Sequence, residues 1–278
     1  MKIEDFSETE FNDALSELID DLIENRTKVE NPKAYLLGGQ SGSGKTTIHE
    51  IIRESLNKNI IVIDGDTFRK LHPRSEEITE IYGVEDTKYT SYFAGKMVEA
   101  LVEHLSKHNY NLVIEGTLRT TDVPLETAKL LKIKKYNVSL YGMAVKPAMS
   151  YLSTLQRYEE MYVLNTLLAR ATPKEHHDLI VANYAQNLDQ IQESILISNV
   201  RLVSRYKEIV YDDSIIPHVL PSEFINAYWK KTWSQSEKEM LEDIYERTHD
   251  LMMDRNAAEL AQLEDWYLET VLSLRNIE

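Results

Sequence analysis

The ten residues GGQSGSGKTT, preceded closely by the apolar run AYLL, constrain this chain more than any other stretch. Four of the nine glycines in 278 residues fall at Gly38, Gly39, Gly42 and Gly44. Glycine lets the backbone adopt positive φ and approach another group closely, so this density marks a loop shaped around something. Gly39, four residues, and then Gly44-Lys45-Thr46 fit the spacing G-x-x-x-x-G-K-[ST]. In that pattern consecutive backbone N–H groups turn inward on a polyphosphate and the positive end of the following helix adds to them. The pattern therefore assigns Gly39, Gln40, Ser41, Gly42, Ser43, Gly44, Lys45, Thr46 and Thr47 to nucleotide binding. Lys45 would reach the terminal phosphates of ATP, and the Thr46 hydroxyl would bind Mg²⁺.

The surrounding pattern supplies the context such a loop needs. AYLLG (34–38) has strand length, and a helical pattern follows the loop through Leu56. NIIVIDGD (59–66), NLVIEGT (111–117) and NVSLYGMAV (137–145) read as further buried strands with helical stretches between them. Strands alternating with helices predict an α/β fold, a P-loop-kinase-like parallel sheet flanked by helices. Helical appendages are expected at both ends and in a lid region. At the N terminus, Ser7 and Glu10 stand in capping-box spacing before Phe11, Leu15, Leu18 and Leu22, predicting an amphipathic helix over 7–25. From Pro147 to about Leu202 the pattern reads as almost wholly helical, with EIVYDD (208–213) as a last strand. The tail from Ser234 reads as helical and carries twelve acidic against four basic residues. Domain organisation is expected as a P-loop kinase domain over 1–233 and an acidic helical extension over 234–278, packed on it.

Composition narrows the function. A formal charge of −15 disfavours nucleic acid as a partner, because phosphate backbones demand clustered Lys and Arg. The absence of cysteine excludes disulfides and thiolate chemistry. No stretch approaches the roughly 20 apolar residues of a membrane span, and no secretory leader pattern opens the chain, so no membrane partner is expected and a cytoplasmic location is.

Further chemistry-bearing residues collect at predicted strand ends, where open α/β sheets bind ligands. Asp64 and Asp66 close the second strand. Asp66, lying beyond the apolar run, is placed to take a proton from an acceptor hydroxyl, with Asp64 capping the strand; a pair of turn-forming aspartates is the other reading. Glu115, Thr117 and Arg119 end the third strand and could hold a metal indirectly or an acceptor's hydroxyls, or form a solvated loop. Arg157 and Arg170 lie in the helical region, either as surface ion pairs or as a cationic cover over phosphates. His176 and His177 are adjacent and so ill spaced to chelate one ion, while Pro173 and Glu175 suit a helix start.

Taken together, GGQSGSGKTT, VIDGDTFR, FAGKMVEALV, NLVIEGTLRT, YLSTLQRYE and LLARATPKEHHD resemble the zeta toxins of bacterial toxin–antitoxin systems, particularly their PezT-like branch. The resemblance runs in order from about residue 1 to 215, with WSQSEKEML (233–241) also similar. It implies an ATP- and Mg²⁺-dependent kinase that phosphorylates the 3′-hydroxyl of the sugar in UDP-N-acetylglucosamine and is neutralised by a cognate antitoxin. It implies Lys45 and Thr46 as nucleotide and metal residues and Asp66 as the base. Glu99, Glu115, Thr117 and Arg119 are implied to hold the sugar nucleotide, and Arg157 and Arg170 to stabilise the transferred phosphate. Glu99 carries no signal of its own in the sequence. The residues alone leave open a P-loop kinase of another small hydroxyl compound and a nucleotide-dependent binding switch.

Overall fold

In the computed structural model, which describes residues 2–166 and 169–275, strand β1 (Lys33–Gly38) occupies the middle of the sheet. Every residue of β1 after Lys33 is buried, as a strand covered on both faces requires. Around it stand β2 (Ile61–Ile63), β3 (Leu112–Ile114), β4 (Asn137–Met143), β5 (Asn199–Val203) and β6 (Ile209–Asp212), in the order β2-β3-β1-β4-β5-β6. All neighbours are parallel except β5 and β6. The chain leaves β1 toward β2 on one side and later returns to β4 on the other. The carboxyl end of β1 is therefore the point where strand order reverses and a crevice opens.

Side chains alternate across the sheet and build two cores. Ala34 and Leu36 point to a layer made by α1 (Glu8–Ile23), α5 (Asp86–Lys107), α6 (Asp122–Ile133), α8 (Lys174–Gln192) and α9 (Pro221–Lys230), through Phe11, Phe93, Met97, Leu131, Tyr184 and Ile225. Tyr35 and Leu37 point to the opposite layer, made by α2 (Thr46–Ser55), α7 (Pro147–Leu164), α10 (Gln235–Asp254) and α11 (Leu260–Arg275), through Ile48, Ile52, Leu152, Leu241, Ile244 and Leu263. The segment after β2 adds the short α3 (Gly65–Phe68) and α4 (Ser75–Tyr82). The expected capping box operates, Ser7 with Glu10 opening α1, and a second one that the sequence reading did not name, Ser234 with Glu237, opens α10. Among the described residues no helix is long and apolar enough to cross a membrane.

One expectation fails. The run from Pro147 to Leu202 is not almost wholly helical: α7 ends at Leu164, α8 starts at Lys174, and Asn199–Val203 is strand β5, parallel to β4. Arg201 interrupts the apolar run of that strand and so hides it. In the fold its Nε donates to Asp212 on β6 at 2.6 Å and its guanidinium also meets the Tyr141 hydroxyl, partners far away in sequence. Residues 167, 168 and 276–278, inside the expected helical stretches, lie outside the described residues.

The junction of β4, β5 and α8 is tightly filled. A Cβ on Gly142 would lie 2.4 Å from the Tyr184 hydroxyl and 2.7 Å from a Leu202 methyl, and that hydroxyl donates to the Met143 carbonyl at 3.1 Å. Gly142→Ala should therefore cost about 1–3 kcal/mol through overpacking. Urea unfolding measures this, and an unchanged midpoint would mean that Tyr184 moves aside freely.

Candidate active site

The glycine loop joins β1 to α2 and is shaped by what touches it. Gly42 has φ of 73°, and a Cβ there would lie 2.1 Å from the backbone carbonyl of Ser150 and 2.9 Å from the Thr154 methyl, both on α7. No other residue type fits both the conformation and the space. Fully buried Gln40 ties the loop to the end of β4 by donating from Nε2 to the Val145 carbonyl at 2.9 Å. The N–H groups of Ser43, Thr47 and Ile48 turn back on Gln40, Gly44 and Lys45. Among the described residues no backbone carbonyl takes the N–H groups of Gly44, Lys45 or Thr46, and no side chain caps α2. These donors at a helix N terminus suit an anion. Thr46, the first residue of α2, is exposed, and Ser41 and Thr47 are half-buried.

Lys45 stands where three strand ends meet. Burial pushes its ammonium below the usual lysine pKa, opposed by the attraction of Glu115, Asp66 and Asp64, while Arg157 acts in the same direction as burial. Lys45, Asp64, Asp66, Arg69, Glu115 and Thr117 line a cleft of about 310 Å³. Among the described residues no group of three or more His, Asp or Glu could hold a metal by itself, so one lysine beside these carboxylates suits a polyphosphate that brings its own cation.

The aspartates divide their work. Asp64 accepts from the Asp66 N–H at 3.0 Å and the Thr67 hydroxyl at 2.7 Å, and so caps the short helix α3 rather than the strand itself. Asp66 projects from that helix with 74% of its side chain exposed and is oriented by Arg69 Nε at 3.0 Å. Glu115 follows β3 and has His49 Nε2 of α2 at 2.9 Å from its Oε1.

Beyond Glu115 the cleft continues into a hollow of about 230 Å³ lined also by Thr117 and Arg119. Between these two, Leu118 is buried with φ of 55°. Asn187 of α8 holds the Leu118 carbonyl at 2.7 Å, which fixes the turn that presents both neighbours. Arg119 meets His176 Nε2 at 2.7 Å, and His177 is buried against Ser150 and Asp178, so the two histidines diverge.

Other predicted residues are less central. On α5, Ser91, Gly95 and Val98 line the cleft, and Glu99 lies one turn past Gly95, exposed. Arg157 is exposed on α7, one turn past the Thr154 that touches Gly42. Arg170 turns instead to buried Asp86, donating at 2.8 Å, in a separate hollow of about 370 Å³ that shares Arg69 with the cleft. The structure thus brings Lys45, Asp66, Glu115 and Thr117 together, sets Arg157 near enough to Lys45 to repel its charge, and leaves Arg170 and Glu99 at the margin.

Sequence reasoning missed Arg205, which follows β5. Its guanidinium donates to the Gly42 carbonyl and, at 2.8 Å, to Ser153 Oγ on α7, and burial lowers its pKa to about 10. Once β5 is read as helix, the sheet-edge position of Arg205 vanishes. Arg69 closes the block VIDGDTFR but has no role assigned by it, and His49 carries no motif.

A family model described as zeta toxin matches residues 16–215. Over 252 residues the chain is 46% identical to toxin PezT of Streptococcus pneumoniae serotype 4, covering 91% of this chain and 99% of that protein. Toxin zeta of Streptococcus agalactiae is 43% identical over 221 residues, 80% of this chain and 77% of that one. Among solved structures, one from the pneumococcal PezAT toxin–antitoxin system superposes with a TM-score of 0.83 at 42% identity, covering 91% of this chain and 100% of that one. With the phosphate-binding loop, the strand-end carboxylates and these matches in agreement, the chain belongs to the zeta toxin family.

Proposed function

We propose that this chain is the toxin of a toxin–antitoxin pair, a kinase that transfers the γ-phosphate of ATP to the 3′-hydroxyl of the sugar in UDP-N-acetylglucosamine and so withdraws a peptidoglycan precursor. The observation that carries the reading is the gathering of Lys45, Asp66 and Glu115 from three different strand ends into one cleft beside the glycine loop. A nucleotide switch needs no proton acceptor in such a place; a kinase does.

The roles follow from position. The open N–H groups of the loop and Lys45 hold the ATP phosphates, and Thr46 would hold Mg²⁺, which when bound neutralises phosphate charge. Asp66, exposed and steered by Arg69, accepts the proton of the attacking hydroxyl as its oxygen bonds to the γ-phosphorus and the bond to ADP breaks. Arg157 faces the transferring group, with Arg170 joining it from the adjoining hollow. Glu99, Glu115, Thr117 and Arg119 hold the sugar nucleotide. The same reading makes 1–233 the kinase and 234–278 an extension lying on it, working in the cytoplasm with no nucleic acid or membrane partner. A cognate antitoxin is supported by the PezAT relative, whose structure comes from a toxin–antitoxin system.

Two substitutions test these assignments. Lys45→Ala should lower phosphoryl transfer about 10²-fold or more while leaving the circular dichroism spectrum intact; wild-type turnover would reject the phosphate-binding role. Asp66→Asn should abolish transfer to UDP-N-acetylglucosamine but leave ATP affinity within about twofold, because the base acts on the acceptor. If calorimetry shows affinity falling as far as turnover, Asp66 serves the nucleotide instead. Transfer by the wild type to a different small hydroxyl compound, with UDP-N-acetylglucosamine untouched, would overturn the acceptor assignment.

A further inference from the structure

Helix α7 is held between the glycine loop and α10. Its Ser150, Thr154 and Arg157 recur at i, i+4 and i+7 and so share one face, the face on which Gly42 rests. Leu152, Leu155 and Glu159 form another stripe, and Glu159 lies about 200° around the helix from Arg157. Leu152 and Leu155 pack in the core with Leu241, Ile244 and Met252 of α10. Whatever fixes the Glu159 face thereby fixes the Arg157 face.

Glu159 is 3% exposed, and such a buried carboxylate needs a partner. That partner is Arg255, at the end of α10. Its Nε donates to Oε2 at 2.6 Å and its Nη2 to Oε1 at 2.8 Å, a two-pronged grip. The guanidinium also lies over the rings of Tyr158 and Tyr162 at 5.8 and 4.9 Å, enclosing it along α7. At the opposite end, Glu237 in the first turn of α10 takes buried Lys146, the residue immediately before α7, at 2.7 Å. Helix α10 therefore clasps α7 at both ends, and its grip at Glu159 falls two residues from Arg157.

We propose that Arg255 is a positioning residue for Arg157: by gripping Glu159 from the C-terminal extension, it sets the rotation of α7 that presents Arg157 to the transferring phosphate. The acidic extension then serves catalysis as a brace rather than only as a cover for the sheet. This rests on the reading of Arg157 as a phosphate-facing arginine, and not on the identity of the acceptor.

The test uses the full chain and no acceptor, so it is readable whatever hydroxyl compound the enzyme phosphorylates. Calorimetry would compare the binding of Mg-ADP alone with that of Mg-ADP plus aluminium fluoride, a mimic of the phosphoryl group in transfer. Arg255→Ala should reduce the preference for the mimic about tenfold, less than the roughly 10² that a 1 Å misplacement can cost, with ADP affinity within about twofold. Arg255→Lys, which keeps the charge but not the fork, should fall between. Arg157→Ala should lose the preference as well, and adding Arg255→Ala to it should cost nothing more. Since Arg255→Ala leaves a buried carboxylate unpaired, the double variant Arg255→Met/Glu159→Met guards against unfolding and should show the same loss. Full preference for the mimic in either folded variant would overturn the proposal, as would an effect of Arg255→Ala that persists undiminished without Arg157.

Discussion

The Lys45 ammonium, partly buried among Glu115, Asp66 and Asp64, is the charge on which the rest of this molecule depends. Its neighbours come from separate strand ends, and no short peptide could hold them. The parallel register of β1 with β3, and of β3 with β2, brings those ends level. Strand order reverses at β1, so the cleft opens beside the glycine loop. The two cores beneath the sheet keep this edge rigid, which electrostatic preorganisation demands.

The loop itself is a junction rather than an isolated motif. Gly42 rests on α7, its carbonyl is taken by Arg205 from beyond β5, and Gln40 anchors it to β4. Each contact comes from a different part of the chain. The conformation that would receive a polyphosphate is thus maintained by α7, the end of β4 and the residue beyond β5. A net charge of −15 coexists with this site, where Lys45 and Arg69 line the cleft, Arg157 acts on Lys45 and Arg205 holds the glycine loop.

What the sequence revealed and what it hid divide along locality. The glycine loop, Asp66 and Glu115 were legible because each follows an apolar run within a few residues, and the period of that run locates the strand end. The helix face of Phe11 and Leu15 and the Ser7–Glu10 capping box were legible for the same reason. Strand β5 was not, because Arg201 is satisfied by Asp212 and Tyr141 across the sheet. Arg205 was lost with it. Glu159 and Arg255, separated by 96 residues, each read as an ordinary helix charge until packing brought them together. Arg170 was legible as a cation, but its partner Asp86 lies 84 residues earlier, and nothing local shows that it turns away from Lys45.

The central proposal is chemical: that the hydroxyl meeting Asp66 belongs to the sugar of UDP-N-acetylglucosamine. Its most direct test is phosphorus NMR of that compound after incubation with the purified chain and Mg-ATP. The account predicts a new phosphomonoester resonance coupled to the proton on carbon 3 of the sugar, appearing in step with ADP. Unmodified UDP-N-acetylglucosamine beside ADP formed at the same rate with or without it would contradict the account.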